Sequence, residues 1–198
     1  MTIVAYIHGY VSDGKETTNK IKTAFFAWVG VGLEQGVEVV RLDSQEQAQN
    51  IYKQLFKQIA PLIERDQVIL VGTSLGGFWA NYMAEKMNLP CILINPVPRP
   101  STSLLKYLPE GGVASSYKVF EGPVKGIHRN TLIGLKDDVL DPFAVSAHYN
   151  LGHIVWFENE GHRFTDYGPV INIIMSTISQ PHAKIQDVPP GTVHQPSS

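Results

Sequence analysis

The sequence carries little charge and almost no cysteine. Charged residues make up 17% of its 198 residues, and the formal net charge is −2. A chain this close to neutral lacks the basic field that attracts nucleic acids. The single cysteine, Cys91, excludes an intrachain disulfide and a cysteine-rich zinc site. Because Cys91 lies in a short apolar run, we expect a buried and inert thiol.

Long apolar runs are absent as well. No stretch reaches the ~20 apolar residues that a transmembrane helix needs, and the N-terminal residues lack the basic and apolar regions of a secretory signal. We therefore expect a soluble, cytoplasmic protein that acts on small molecules, without a membrane partner. Nothing in the sequence indicates a metal site or a cofactor, and segment 72–77 lacks the lysine and hydroxyl residue of a phosphate-binding loop. The oligomeric state stays open.

Six short apolar runs alternate with stretches of helical spacing. The runs predict strands over residues 3–7, 37–42, 67–71, 91–95, 131–135 and 153–157, several of them apolar throughout, as in a parallel sheet. Helical spacing covers residues 16–33, 44–63, 75–87, 142–150 and 165–179, with Ser44 as the expected N-cap of the second helix. This alternation predicts an open, doubly wound α/β sheet in one domain, residues 1–180.

Two segments break the alternation. Residues 96–130 contain five prolines and one modest helical patch at 104–108, so we predict an irregular lid over the strand ends. Residues 181–198 show neither helical nor strand periodicity, and we expect an irregular C-terminal tail outside the core.

Ser74 lies where a predicted strand turns into a predicted helix. The surrounding residues, Gly72-Thr73-Ser74-Leu75-Gly76-Gly77, match the nucleophile elbow, in which a strained turn exposes a serine hydroxyl above the sheet. Glycines allow that turn because a Cβ would crowd the neighbouring backbone. Ser74 is therefore the candidate nucleophile.

A serine nucleophile needs a histidine base, which a carboxylate in turn orients. Among the seven histidines, only His162 combines a loop after a strand, a flanking glycine and the chain order Ser, Asp, His of hydrolases with such an elbow. Three aspartates precede it: Asp137, Asp138 and Asp141. Asp141 is also placed to cap the next helix and Asp138 to be solvated, so we favour Asp137, the earliest in its loop.

The oxyanion hole of such a site needs two backbone N–H donors. The residue after the nucleophile, Leu75, supplies the first. We expect Tyr10 to supply the second, since Gly9 lets the loop after the first strand approach closely. His8 in the same loop is expected to be a structural, hydrogen-bonded residue.

Several motifs together resemble those of the small bacterial YqiA-type esterases of the α/β-hydrolase superfamily. They lie in order along residues 3–178, at 6–10, 71–78, 89–90, 94–100, 137–141 and 161–164, and the Asn-Pro-x-x-Arg-Pro segment at 95–100 is the most specific. The resemblance implies a minimal α/β-hydrolase fold of about six mostly parallel strands, with helices on both faces and a short irregular lid. It also implies a serine esterase whose acid is the first aspartate of the Asp-x-Val-Leu-Asp run, Asp137. Arg99 could contact an anionic substrate group or brace the lid.

The expected function is therefore hydrolysis of small carboxylic esters through an acyl-enzyme on Ser74. Two alternatives remain open, a thioesterase and a non-catalytic ligand-binding protein of the same fold.

Overall fold

A computed structural model describes residues 2–10, 12–29, 37–107, 111–125 and 128–179. Its strands are β1 (Thr2–Ile7), β2 (Val37–Val40), β3 (Gln67–Thr73), β4 (Cys91–Ile94), β5 (Arg129–Gly134) and β6 (His153–Phe157). Its helices are α1 (Lys15–Val29), α2 (Ala48–Arg65), α3 (Leu75–Met87), α4 (Pro100–Ser103), α5 (Gly111–Ser116), α6 (Pro142–His148) and α7 (Gly168–Ser179), with a 3₁₀ turn at Tyr117–Phe120.

The six strands form one sheet in the order β2-β1-β3-β4-β5-β6. All five neighbouring pairs are parallel, so the expectation of a mostly parallel sheet is confirmed. In the sheet, β2 lies on one side of β1 and β3 lies on the other, so the chain order reverses at β1. A crevice opens at such a switch point, beyond the carboxyl ends of the two strands. The loops that follow β1 and β3 therefore lie side by side.

Alternate residues of the strands fill two cores, one on each face of the sheet. Ile3, Ala5 and Ile7 of β1 face α2 and α3, whereas Val4 and Tyr6 face α1 and α7. A strand points successive side chains to opposite faces, and both faces are covered here, which is why the strands read as continuous apolar runs. Helices on both faces were expected and are found.

Two predicted helix starts are wrong. Helix α2 begins at Ala48 rather than at Ser44, and its N-cap is Gln47. The backbone first makes a turn in which the Asp43 carboxylate accepts from the N–H of Gln45, a local bond that competes with helix formation. Helix α7 begins three residues later than position 165, because the Glu160 carboxylate binds the N–H groups of residues 165 and 166.

The segment from 96 to 130 is more regular than predicted. Helix α4 starts at Pro100, which suits the first turn of a helix because it lacks an N–H. The expected patch at 104–108 forms turns over its described residues, 104–107. The tail predicted at 181–198, and the end of the first predicted helix at 30–33, lie outside the described residues.

Within the part of the chain that the structure describes, no helix is both long and apolar enough to cross a bilayer.

Candidate active site

Ser74 occupies a strained turn between β3 and α3. Its φ of 56° and ψ of −121° lie in a region that residues other than glycine rarely adopt. Holding a serine there costs ~1–3 kcal/mol. The surrounding backbone holds it there: the Ser74 carbonyl accepts from Gly77, Phe78 and Val97, at 2.9, 3.2 and 3.1 Å. The elbow predicted from the sequence is therefore present.

Two glycines make this turn possible. A Cβ on Gly76 would collide with the carbonyl oxygen of Ile7 at the end of β1, and a Cβ on Gly72 would collide with the carbonyl of Gly76. Backbone groups cannot swing aside as a flexible side chain can. Glycine at both positions thus lets β1, β3 and the start of α3 meet at one point.

The side chains of Ser74, His162 and Asp137 form one hydrogen-bonded chain. His162 Nε2 lies 3.1 Å from Ser74 Oγ, and His162 Nδ1 lies 2.9 Å from Asp137 Oδ2. The other carboxylate oxygen, Oδ1, accepts from the N–H groups of Val139 and Leu140 at 2.8 and 2.9 Å. The Asp137 side chain is 1% exposed and that of His162 is 15% exposed, so the aspartate lies deeper than the histidine.

The electrostatics of Asp137 determine the histidine tautomer. Burial raises the pKa of the Asp137 carboxyl, but the hydrogen bonds from His162 and from two backbone N–H groups outweigh burial and hold that pKa below its usual value. An ionised carboxylate only accepts hydrogen bonds. His162 Nδ1 therefore donates to Asp137, which leaves Nε2 free to accept from the Ser74 hydroxyl.

The other two aspartates of this loop have different environments. Asp141 is the N-cap of α6, where its carboxylate accepts from the N–H of Phe143 at 3.0 Å and Pro142 fills the first helical position. That capping role was predicted and is confirmed. Asp138 is exposed, as expected for a solvated carboxylate.

The candidate oxyanion donors flank Ser74. Leu75 begins α3, where a helix offers no internal acceptor for its first N–H groups. A Cβ built on Gly9 would lie 3.3 Å from Ser74 Cβ, so the loop that carries Tyr10 passes directly beside Ser74. The Tyr10 hydroxyl donates to the carbonyl of Tyr107, which ties this loop to the segment after α4.

His8 is structural, as predicted. It is buried, its Nε2 accepts from the N–H of Leu42 at 3.2 Å, and its Nδ1 lies 3.0 Å from the Gly9 carbonyl. These contacts fix the loop after β1 against the chain that leaves β2.

Arg99 is a surface residue. Its exposed side chain lines an open cleft of about 1050 Å³ between segment 98–124 and α6. Neither the serine, the histidine nor the aspartate of the hydrogen-bonded chain lines this cleft. Burial and the positive charge of Arg99 lower the pKa of His148 on α6.

Two further features of the chain are the single cysteine and the residue types that bind metals. Cys91 is buried in β4, and burial raises the pKa of its thiol to about 12, as expected for an inert thiol. Among the residues that the structure describes, no group of three or more His, Cys, Asp or Glu side chains could hold a metal ion.

Two buried polar residues beside the site were not selected from the sequence. Glu160, 8% exposed, accepts from the N–H groups of Thr165 and Asp166 and so closes the loop that carries His162. Asn95, 1% exposed, binds the backbone of the same loop. An asparagine directly between a strand and a proline was the available signal for Asn95; Glu160 lacked any comparable local pattern.

Solved structures with the α/β-hydrolase fold resemble this one over most of their length. Est1E from Butyrivibrio proteoclasticus matches with a TM-score of 0.67 and 15% identity, covering 90% of this chain and 89% of that one. The mouse alpha/beta hydrolase domain-containing protein 10 matches with a TM-score of 0.66 and 14% identity, covering 89% and 90%. A structure reported with LipS and LipT, two metagenome-derived lipolytic enzymes, gives 0.67 and 16%, covering 89% and 92%. At these identities the likeness establishes the fold.

Sequence comparison gives the family. A protein from Shewanella woodyi, described as a UPF0227 protein, is 26% identical over 167 residues, which are 82% of this chain and 91% of that protein. The model of the uncharacterised protein family UPF0227 matches residues 3–178, and the chain therefore belongs to this family.

Proposed function

We propose that this protein is a serine esterase that hydrolyses small carboxylic esters through an acyl-enzyme on Ser74. The observation that carries the proposal is the hydrogen-bonded chain from Asp137 through His162 to Ser74, at 2.9 and 3.1 Å. These distances lie within the range at which a base takes a proton from a nucleophile. The lipolytic enzymes among the structural neighbours support the same reaction class.

In the first half-reaction, Ser74 Oγ attacks the carbonyl carbon of the ester while His162 Nε2 takes the hydroxyl proton. The carbonyl oxygen becomes an oxyanion, which accepts hydrogen bonds from the N–H groups of Leu75 and Tyr10. His162 then gives its proton to the departing alkoxide, the C–O bond breaks, and the alcohol leaves. Asp137 stays ionised, holds the ring and stabilises the imidazolium.

In the second half-reaction, water takes the place of the alcohol. His162 accepts a proton from the water as its oxygen attacks the acyl carbon, and a second oxyanion forms in the same hole. The proton returns to Ser74 Oγ as the ester bond to the enzyme breaks, and the free acid is released.

The lid segment, residues 96–130, points to short acyl groups. Two of its aromatic side chains pack inward: Tyr117 is buried against Trp79, and Phe120 lies 5.2 Å from the ring of Tyr82. Leu105, Tyr107 and Val119 are exposed. Few apolar groups are therefore left to line a long acyl channel. Arg99 lines a cleft that Ser74 does not line, which favours bracing of the lid over contact with an anionic substrate group.

The proposal predicts covalent labelling of Ser74 by a fluorophosphonate probe and hydrolysis of p-nitrophenyl acetate or butyrate. Ser74→Ala should lose the labelling and at least ~10³-fold in kcat. Ser176→Ala, which replaces an exposed serine on α7, is the matched control and should behave as the unmodified protein. Near-native hydrolysis by Ser74→Ala would refute the nucleophile. If the unmodified protein shows no labelling and no turnover of esters or thioesters, the non-catalytic alternative is favoured.

A further inference from the structure

Asn95 is a buried polar residue at the carboxyl end of β4. Its side chain is shielded from solvent, and its backbone has a φ of 43°. Asparagine is enriched among the residues that tolerate this left-handed region, where a β-branched or bulky side chain would be strained. Pro96 follows directly, so the chain turns away from the sheet here.

The amide of Asn95 makes three hydrogen bonds to backbone groups. Nδ2 donates to the carbonyls of Gly161 and His162 at 2.8 and 3.1 Å, and Oδ1 accepts from the N–H of Gly134 at 2.8 Å. A rotated amide would place its oxygen against two carbonyl oxygens and its NH₂ group against an N–H, so only one orientation satisfies all three partners.

These bonds connect the loops on which the proposed catalytic residues lie. Gly134 ends β5, three residues before Asp137, and Gly161 directly precedes His162. The residue before Asn95 contacts the elbow, since the Ser74 N–H donates to the Ile94 carbonyl at 3.0 Å. The Asn95 side chain therefore joins the acid loop to the histidine loop, and the backbone just before it joins the elbow.

The packing around Asn95 leaves these loops little freedom. A Cβ on Gly134 would collide with the carbonyl of Glu160, so the ends of β5 and the histidine loop are in direct contact. Loss of the Asn95 amide would leave one buried N–H and two partly buried carbonyls without this partner. Such groups are costly unless the loop moves or water enters.

We propose that Asn95 is a positioning residue that holds the backbone of His162 at the distance from which its ring reaches both Ser74 and Asp137. Its kinetic effect rests on the proposed esterase function, but its effect on the His162–Asp137 hydrogen bond does not. A displacement of ~1 Å in a catalytic group can reduce turnover by ~10²-fold. Asn95 therefore acts on the chemical step rather than on substrate binding.

Asn95→Gly removes the amide and accepts the positive φ. Asn95→Asp keeps the size of the side chain and loses both donors, and it serves where the glycine protein does not fold. The matched control is Asn88→Gly, because Asn88 has a similar φ of 52° but is an exposed residue at the C-terminus of α3. Circular dichroism establishes folding of each variant before kinetics are measured.

Two readouts separate positioning from a purely structural role. The first is the kcat and KM for p-nitrophenyl butyrate: we expect kcat to fall by ~10–10²-fold in the folded Asn95 variants, with KM changed by less than ~3-fold. The second is the downfield proton resonance of His162 Nδ1–H bound to Asp137, assigned by its absence in His162→Ala. We expect this resonance to broaden or vanish in both Asn95 variants and to persist in Asn88→Gly.

An unchanged kcat together with a sharp Nδ1–H resonance in a folded Asn95 variant would overturn the proposal. So would equal losses in Asn88→Gly. If the unmodified protein shows no turnover at all, the esterase function fails, and the resonance still decides whether Asn95 positions His162.

Discussion

Replacement of Asp137 by asparagine should abolish most turnover while the fold survives. In the native site, Oδ1 accepts from two backbone N–H groups and Oδ2 accepts from His162 Nδ1. The asparagine oxygen can keep the backbone bonds, but its NH₂ group then faces His162. Only the tautomer with an unprotonated Nδ1 can accept from that group, which places the ring proton on Nε2, toward Ser74.

A protonated Nε2 cannot take the proton of the serine hydroxyl. In serine proteases the same replacement costs ~10⁴-fold in kcat, which corresponds to ~5.5 kcal/mol of transition-state stabilisation. We expect a loss of up to that size. Because the loop bonds and the side-chain volume are retained, the melting temperature should change by only a few degrees.

Asp141 and Asp138 provide the comparison. Asp141→Ala removes an N-cap, worth ~1 kcal/mol, which lowers the melting temperature by ~2–4 °C in a domain of this size and leaves most activity. Asp138→Asn, at an exposed position, should change neither quantity.

The assay is kcat on p-nitrophenyl butyrate together with thermal melting followed by circular dichroism, for all three variants and the unmodified protein. A kinetic collapse in Asp138 or Asp141 variants, with Asp137→Asn active, would refute the assignment of the acid and with it the tautomer argument.

Further predictions concern the elbow, pH and acyl length. Gly76→Ala should destabilise the protein by at least ~3 kcal/mol, because its Cβ meets backbone of β1, whereas Gly112→Ala, with open space around it in α5, should gain up to ~1 kcal/mol. Since hydrogen bonds hold the pKa of Asp137 below its usual value, its ionised form stabilises the fold above about pH 4, and this contribution should be lost as the pH falls through the lower, native value. His162→Ala removes the largest of the interactions that lower this pKa, so carboxyl NMR titration should show a raised pKa of Asp137. Finally, kcat/KM should be higher for a four-carbon than for a twelve-carbon ester, since each methylene gains ~0.8 kcal/mol only where apolar surface can bury it.

Each of these predictions has an outcome that would contradict it. Equal melting temperatures for the two glycine variants would show that the elbow tolerates a Cβ. A pKa of Asp137 that stays the same or falls in His162→Ala would contradict the stabilising bond, and a preference for the twelve-carbon ester would contradict the inference that the site takes short acyl groups.

The sequence by itself was sufficient for features that depend on neighbours along the chain. Apolar runs and helical spacing predicted every strand of the sheet and the main helices to within a few residues, because burial on both faces leaves a direct pattern. The glycines around Ser74 predicted the elbow, and the pair Asp141-Pro142 predicted a helix cap, since both structures form within a few residues. Where a local rule failed, as for Ser44, another local bond at Asp43 competed with it.

Tertiary structure decided what depends on residues distant in the chain. Three aspartates lie within five positions, and local signals could favour Asp137 but could not place it beside the histidine. The packing of β5 against β6 brings Asp137 to within 2.9 Å of His162. The three bonds of Asn95 join backbone groups 39 to 67 residues away. A buried polar group must find its partner wherever the fold provides one, and local spacing carries no record of that partner.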